Sequence, residues 1–203
     1  MTVFAPKLFK DILANNHRVV NFEKSLDISA NHEQIKRAGE SGGGASGELF
    51  LFSHDHQLIL KTITQDEYKV LTDLLYDYSV YMKIRPDSMI SKLYGLFEFQ
   101  FPGTSKPVRL VIMENLFTVN NDAILRRYDL KGSTYKRLIP EANLAAGVGK
   151  DLNFLKSELK FMLPHRAYEA IMTQITKDAR FLESCIIIDY SLLVGVHDRN
   201  VSP

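Results

Sequence analysis

Lys61 is the first residue whose setting suggests chemistry. It lies in the segment LILKTI, residues 58–63, which is apolar apart from Lys61 and Thr62 and is predicted to be a strand. An ammonium group in such a segment is costly to bury unless it meets an anion. We therefore expect Lys61 to bind an anionic group.

A glycine-rich stretch, SGGGASG over residues 41–47, precedes Lys61, and Glu67 follows it at the predicted start of a helix. The stretch is predicted between two strands, which argues against a dinucleotide fold, and it lacks the Gly-Lys-Ser/Thr ending of a P-loop. Glycines allow backbone N–H groups to close over phosphates. Glycine-rich loop, strand lysine and early helix glutamate follow each other in the order used by protein kinases.

In that arrangement the loop covers the phosphates of ATP, the lysine binds them and the glutamate orients the lysine. A flexible linker is the alternative for the loop, and capping of the helix together with Thr64 is the alternative for Glu67. The nucleotide-binding residues predicted in this way are Lys61, Ser41, Gly42, Gly43, Gly44, Ser46, Gly47 and Glu67.

Asp189 is a second anomaly in the pattern. Three isoleucines precede it and the string YSLLVG follows. A carboxylate buried in such a run is destabilising unless it is paired. The position favours a general base or a metal ligand, and a structural aspartate that caps a turn is the alternative.

Basic residues are crowded between positions 126 and 137, where only Asp129 opposes them. Because the net charge of the chain is only +1, attraction to anions has to come from a local patch of this kind. A solvated basic loop is the plain interpretation, and a site for a polyanion is the functional one. The five basic residues are Arg126, Arg127, Lys131, Lys136 and Arg137.

The elements that must position these residues are predicted in two groups. In the first group a short amphipathic helix in PKLFKDIL and two strands around the polar turn 54–57 are followed by a helix with capping-box spacing from Thr64 to Glu67. Two strands joined by PGTSKP complete it. The buried face predicted for the helix consists of Val70, Leu71, Leu74, Leu75, Tyr78 and Met82.

In the second group DLNFLKSELKFML is predicted to be a helix that Pro164 closes. A second helix over 165–185 carries an apolar stripe that we expect in the core, and IIIDYSLLVGVHD is predicted to be a buried strand interrupted by Asp189. The stripe comprises Tyr168, Ile171, Met172, Ile175, Ala179, Leu182 and Ile186.

Composition is that of an ordinary globular protein, with 45% hydrophobic and 24% charged residues. The single cysteine, Cys185, excludes an intramolecular disulfide and a multi-cysteine metal site. No signal peptide or membrane-length apolar run is apparent. These features predict a soluble cytoplasmic protein, and the low net charge gives no reason to expect a nucleic-acid partner.

Two strings make a family resemblance specific. RYDLKGSTYKR and IIDYSLLVGVHD together resemble the signatures of the phosphatidylinositol phosphate kinases, in the order in which that family has them. FAPKLF, SGGGASG, LILKTI, MENLF and KDLNFL also occur where the family would have them. The resemblance covers essentially the whole chain.

The resemblance implies an α+β, protein-kinase-like fold, with an antiparallel-sheet N-lobe over 1–120 and the start of an incomplete C-lobe over 121–203. It implies ATP and Mg²⁺ as cofactors, and phosphorylation of an inositol ring at the cytosolic periphery of a membrane. Asp189 would be the catalytic-loop aspartate, with Asp129 and Lys131 beside it at the active site. Residues facing the lipid substrate or the anionic membrane would be Arg126, Arg127, Lys136 and Arg137.

The preferred substrate is phosphatidylinositol 4-phosphate, phosphorylated at the 5-position, because LILKTI, KDLNFL and VGVHD resemble that branch. SGGGASG, MENLF and IIDYSLL resemble instead the branch that acts on the 3-phosphate. A generic protein kinase is rejected, because the chain has no His-Arg-Asp string.

The family's later strand, with its metal-binding aspartate, and its activation loop would lie beyond residue 203. We therefore expect the 203 residues alone not to turn over. The remaining alternative is a non-catalytic fragment or pseudokinase that binds nucleotide or phosphoinositide, and a second copy of the chain is a further candidate partner.

Overall fold

A computed structural model describes residues 2–15, 21–40, 49–103, 105–117, 124–144 and 147–197. The chain divides into two compact units, Met1–Leu116 and Phe117–Pro203. Among the described residues, no helix is both long enough and apolar enough to cross a lipid bilayer.

The first unit is built on a five-stranded antiparallel sheet with the strand order β1-β4-β5-β3-β2. Strand β3 lies between β2 and β5, so that Lys61 is paired with a residue on each side, Phe50 and Val111. The strands are β1 (Thr2–Val3), β2 (Phe50–Phe52), β3 (Leu58–Ile63), β4 (Leu93–Phe99) and β5 (Val108–Glu114).

Four helices lie among the described residues of the first unit. The first, whose apolar residues have helical spacing, buries Phe9 and Ile12 and packs against both the longest helix and β4. The predicted amphipathic helix in PKLFKDIL is therefore confirmed. The helices are α1 (Pro6–Ala14), α2 (Phe22–Ser25), α3 (His32–Glu40) and α4 (Gln65–Ile84).

Helix α4 begins with the capping box predicted from the sequence. The Thr64 side chain accepts a hydrogen bond from the backbone N–H of Glu67, and the Glu67 carboxylate accepts one from the N–H of Thr64. The predicted buried face is confirmed at Leu75, Tyr78 and Met82 but is wrong at Val70, which is exposed. Helical periodicity indicates a face and not its edges, and Val70 lies at the edge.

Tyr78 joins α4 to the sheet. Its ring is buried, its hydroxyl donates to the carbonyl of Ser91 at 2.9 Å, and the same oxygen accepts the N–H of Leu93 at 2.9 Å. Burial raises the pKa of Tyr78 far above its usual value, so that the hydroxyl stays protonated as a donor. The helix that carries Glu67 is thereby held to β4.

The residues before the glycine-rich stretch are held to the turn between β2 and β3. Asp55 accepts hydrogen bonds from the hydroxyls of Ser25 and Ser53, each at 2.6 Å, and the N–H of His54 donates to the side-chain oxygen of Asn31 at 2.8 Å. The prediction that a strand leads directly into the glycine-rich stretch is wrong, because helix α3 lies there. The sequence HEQIKRAGE has polar residues in the helical, not the strand, pattern.

In its described residues, the second unit contains a two-stranded antiparallel sheet, three helical segments and a close approach of the chain to its first strand. Gly149 donates its N–H to the carbonyl of Arg127, and its own carbonyl accepts from Asp129, both at 2.8 Å. A β-carbon at Gly149 would lie 2.7 Å from the Tyr128 ring, so only glycine fits there. The elements are β6 (Ile124–Leu130), a 3₁₀ turn (Glu141–Asn143), α5 (Asp151–Lys156), α6 (His165–Ser184) and β7 (Leu192–His197).

Three predictions for this unit need correction. Helix α5 ends at Lys156 instead of continuing to Pro164, because Glu158 adopts a left-handed conformation, with φ 53°. The apolar stripe of α6 is not core, since Tyr168 and Met172 are exposed and the buried positions are the polar residues Gln174 and Asp178.

The segment around Asp189 is also not buried. Ile186 and Ile188 are 86% and 83% exposed. Hydrophobic periodicity indicates which face of an element can be buried, but it does not say whether another element covers that face.

Candidate functional site

In the first unit, Lys61 and Glu67 form an ion pair. The Nζ atom of Lys61 lies 3.2 Å from Oε1 of Glu67, and the two side chains are 27% and 42% exposed. The tight connection from β3 into α4 through Thr64 brings the strand lysine and the helix glutamate together. The ammonium group is therefore oriented and partly shielded from water while it remains accessible to an anion.

Glu67 performs both roles that the sequence left open. Its Oε2 atom accepts the N–H of Thr64 at 2.7 Å, and Oε1 faces Lys61. Burial alone would raise the pKa of Glu67, but the hydrogen bonds from Thr64 and Lys61 outweigh this effect and lower it. Capping and orientation of the lysine do not compete, because each uses a different oxygen.

The rest of the predicted nucleotide site lies outside the described residues. This applies to the whole glycine-rich stretch, residues 41–47. Its assignment stays a prediction.

In the second unit, Lys131 meets Asp189. The Nζ atom of Lys131 lies 2.5 Å from Oδ1 of Asp189, although the two residues are 58 positions apart. The pairing of β6 with β7, in which Leu130 faces Leu192, places the ends of these strands side by side. Two residues that the family resemblance assigns to the active site from separate strings are thus brought into contact.

Asp189 is exposed, not buried as the apolar run suggested. Its side chain is 77% exposed, and its backbone has φ 64°, in the left-handed region that aspartate tolerates. The hydrogen bond from Lys131 and the charges of Lys131 and Arg137 lower the pKa of Asp189. The carboxylate is therefore ionised at neutral pH and open to a ligand.

Asp129, the third predicted catalytic residue, is not in contact with this pair. Its Oδ2 atom lies 3.2 Å from a guanidinium nitrogen of Arg137. Its Oδ1 atom is buried and has no hydrogen-bond partner among the residues that the structure describes.

Arg137 differs from the other basic residues of its cluster. Its side chain is only 11% exposed, and its guanidinium group lies between Asp129 and Asp151, with Nε 2.7 Å from Oδ2 of Asp151. The same group donates to the backbone carbonyl of Asp129. The assignment of Arg137 to the lipid-facing residues is therefore corrected, because two carboxylates already neutralise its charge inside the fold.

The other three residues predicted to face the lipid or the membrane remain at the surface. Arg126 is exposed, Arg127 is half-buried with its guanidinium 5.6 Å from the centre of the Phe117 ring, and Lys136 is exposed beside the Tyr135 ring at 5.2 Å. They remain candidates for contact with anions.

Asp151 is the residue that sequence reasoning missed. It is buried at the start of α5 and accepts from Arg137 and from backbone N–H groups of the loop after β6. Burial would raise the pKa of Asp151, but these hydrogen bonds lower it to about 2. Its position within KDLNFL, one of the strings that carry the family resemblance, was the available signal.

A metal site is not apparent among the described residues. No three His, Cys, Asp or Glu side chains in the described ranges are grouped so that they could hold a metal ion. Asp129 and Asp189 each face a cation already. The carboxylates present therefore do not fit a complete magnesium site.

Comparison with known proteins agrees with the resemblance. The model of the family "Phosphatidylinositol-4-phosphate 5-Kinase" matches residues 30–203. A probable phosphatidylinositol phosphate kinase of Dictyostelium discoideum is 39% identical over 200 residues, which cover 93% of this chain and 28% of the relative.

Two further relatives are named as phosphatidylinositol 4-phosphate 5-kinases. The one from Schizosaccharomyces pombe is 38% identical over 158 residues, covering 76% of this chain and 21% of its own length. The type-1 enzyme of Drosophila melanogaster is 36% identical over 165 residues, covering 80% and 20%. The chain thus spans between a fifth and about three tenths of the length of these relatives. Because the family model covers well over half of the chain, the chain belongs to the phosphatidylinositol-4-phosphate 5-kinase family.

Proposed function

We propose that the protein transfers the γ-phosphoryl group of ATP to phosphatidylinositol 4-phosphate and forms phosphatidylinositol 4,5-bisphosphate. The observation that carries the proposal is the contact between Lys131 and Asp189. It unites the two strings by which the family is recognised, and it leaves an ionised carboxylate and an ammonium group together at an accessible surface.

The proposed role of Asp189 is to receive the ring hydroxyl of the lipid. An ionised carboxylate accepts a hydrogen bond from an alcohol and orients it for attack, which is the role of the catalytic-loop aspartate in phosphoryl transfer. A low pKa suits this task, because the loose transition state demands orientation of the hydroxyl more than early removal of its proton. Lys131 would compensate negative charge on the transferred or the substrate phosphate.

Lys61 is proposed to bind the phosphates of ATP in a protein-kinase-like fold. The half-buried ammonium group beside Glu67 fits this role, since the carboxylate orients the lysine without removing it from solvent. We assign no magnesium ligand to this chain. The proposal includes the glycine-rich residues 41–47 only as a prediction from the sequence.

Arg126, Arg127 and Lys136 are proposed to face the anionic surface of a membrane at its cytosolic side. Basic residues near such a surface each contribute about 1 kcal/mol of attraction. Arg126 and Arg127 are neighbours on β6 and point to opposite faces of its sheet, so at most two of the three residues contribute at one surface, on the order of 2 kcal/mol at low salt.

Conversion of phosphatidylinositol 4-phosphate in mixed vesicles, measured with radiolabelled ATP, tests the proposal. We expect a chain extended through the family's later strand and activation loop to form the bisphosphate, and the 203 residues alone not to. In the extended chain, Asp189→Asn should abolish turnover and Lys131→Met should reduce it to a low residual rate, while vesicle binding is kept. Asp178→Asn, in the same unit but on α6 and outside both strings, is the control for general damage.

Each alternative predicts a different result. Phosphorylation of phosphatidylinositol 3-phosphate in preference to the 4-phosphate would favour the other branch of the family. Binding of ATP and of vesicles without turnover by the extended chain would favour a non-catalytic module, and turnover that survives Asp189→Asn would overturn the assigned role of Asp189.

A further inference from the structure

We propose that Asp151 and Arg137 are positioning residues, which hold the loop 131–133 so that the Lys131 side chain meets Asp189. Neither residue belongs to the proposed catalytic pair, Lys131 and Asp189. The inference rests on the proposed function for its consequence in the reaction, but its structural part can be tested separately.

One carboxylate oxygen of Asp151 organises the loop. Its Oδ1 atom accepts the backbone N–H groups of Lys131, Gly132 and Ser133 at 3.0, 2.8 and 3.3 Å. Three consecutive N–H groups can converge on one oxygen only if the backbone turns sharply. Gly132 supplies that turn with φ 70°, a conformation that glycine adopts without strain.

The other carboxylate oxygen is held by Arg137. The Nε atom of Arg137 donates to Oδ2 of Asp151 at 2.7 Å, while its terminal nitrogen donates to the backbone carbonyl of Asp129 and lies 3.2 Å from the Asp129 carboxylate. The guanidinium group can make these contacts simultaneously because its N–H donors lie in one plane and point in different directions. Arg137 therefore ties the end of β6 to the start of α5.

Backbone hydrogen bonds hold α5 in the place from which Asp151 acts. The N–H of Leu152 donates to the carbonyl of Arg137 at 2.9 Å, and Asn153 exchanges hydrogen bonds with the backbone of Ile139, both at 3.0 Å. The helix start is thereby fixed on the same stretch of chain that carries Arg137. Asp151 has little freedom to move away from the loop.

These contacts fix the backbone of Lys131. Its backbone N–H is held by Asp151, and its Nζ atom donates to Asp189 at 2.5 Å. Asp189 is exposed, so water competes for both partners, and the pair keeps its geometry only if the lysine backbone is held in advance. Such preorganisation matters because small displacements at a reacting centre cost large factors in rate.

Two substitutions test the arrangement without removing its bulk. In Asp151→Asn, the amide offers an oxygen to either the loop or Arg137 but turns an NH₂ group toward the other, so that one set of bonds is lost in either orientation. Arg137→Lys keeps the charge but cannot form the planar fork. Asp178→Asn is the matched control, a buried aspartate of α6 that accepts from Gln174 at 2.8 Å.

Amide hydrogen exchange gives the structural readout. We expect the amides of residues 131–133 to exchange roughly 10- to 100-fold faster in Asp151→Asn, as the loss of hydrogen bonds to a charged acceptor predicts. Amides paired between β6 and β7 should exchange as in the wild type. Asp178→Asn should leave the amides of 131–133 unchanged. Unchanged exchange at 131–133 in both Asp151→Asn and Arg137→Lys would overturn the proposal.

Steady-state turnover of the chain extended through the family's later strand and activation loop gives the functional readout. We expect Asp151→Asn to lower kcat at least tenfold, with a smaller change in the KM for ATP, because loop 131–133 is not part of the proposed Lys61 site. In a Lys131→Met background, Asp151→Asn should lower the residual rate less than twofold, since the two residues act as a unit. Full, additive losses in the double variant would show that Asp151 acts by another route and would overturn the proposal.

The two readouts separate the two proposals. A wild-type protein that neither binds nor converts phosphoinositide would refute the proposed function, and amide exchange would then support or overturn the loop arrangement on its own. Normal turnover in Asp151→Asn, together with accelerated exchange at 131–133, would overturn the positioning role while leaving the proposed function intact.

Discussion

Replacement of Lys61 by methionine should weaken nucleotide binding strongly with little loss of stability. The ion pair of Lys61 with Glu67 joins two partly exposed side chains, 27% and 42%. Pairs of this kind contribute about 0.2–1 kcal/mol. Methionine also preserves most of the apolar stem that packs in β3. We therefore expect the free energy of unfolding to fall by less than about 1 kcal/mol.

The loss in the free energy of ATP binding should be larger than the loss in the free energy of unfolding. A hydrogen bond between a charged donor and a phosphate is worth about 1.5–3 kcal/mol. This corresponds to a Kd for ATP that is roughly 10- to 150-fold weaker. Glu67→Gln should have a smaller effect, because it keeps an oxygen for the N–H of Thr64 and leaves the lysine charged but less well oriented.

Isothermal titration with ATP measures the effect directly, and the nucleotide-dependent shift in Tm measures it independently. Lys69→Met is the matched control, since Lys69 is an exposed lysine on the same helix as Glu67. An unchanged Kd for ATP in Lys61→Met, with unfolding as expected, would refute the assignment of Lys61. Equal losses in Lys61→Met and Lys69→Met would attribute binding to general charge.

Three further predictions concern the basic surface residues, the stability at low pH and the buried hydroxyl of Tyr78. Glutamine in place of Arg126, Arg127 and Lys136 should weaken binding to phosphoinositide vesicles in sedimentation assays, and high salt should weaken the wild type similarly; indifference to both would place the lipid surface elsewhere. Asp151 has a folded pKa of about 2 against an ordinary 3.8, so it contributes roughly 2 kcal/mol above about pH 4 that is lost as pH falls toward 2. The difference between the urea midpoints at these two pH values should therefore be smaller in Asp151→Asn than in the wild type. A difference as large in the variant as in the wild type would contradict this. Tyr78→Phe leaves two backbone groups without their hydroxyl partner and should cost about 1–3 kcal/mol in urea unfolding; a cost below about 0.5 kcal/mol would mean that water replaces the hydroxyl.

Local features of the first unit could be predicted because their causes lie within a few residues. The capping box needs only Thr64 and Glu67 three residues apart, and the ion pair of Lys61 with Glu67 follows from the short connection between β3 and α4. Strand β3 was predicted with its observed bounds, since a short apolar run between turn residues has few alternatives. By contrast, helix α3 was not predicted, because its residues are mostly polar and show no clear apolar periodicity.

Charge density in the sequence could not distinguish the members of the basic cluster. Arg126 and Arg137 have the same side chain, yet one is exposed and the other is enclosed by Asp129 and Asp151. The difference arises because α5 returns to the end of β6 and brings a carboxylate from 14 residues away. No count of charges over a window contains that information.

Asp189 shows the same division. Its place within IIDYSLLVGVHD indicated the chemistry, and its 2.5 Å contact with Lys131 brings together the residues for which that chemistry was predicted. Its exposure was predicted wrongly, because apolar neighbours in sequence were taken as neighbours in space. Residue types and short spacings determine helix starts, strand runs and candidate donors, whereas burial, and the choice of which arginine is structural, depend on contacts between segments that only folding brings together.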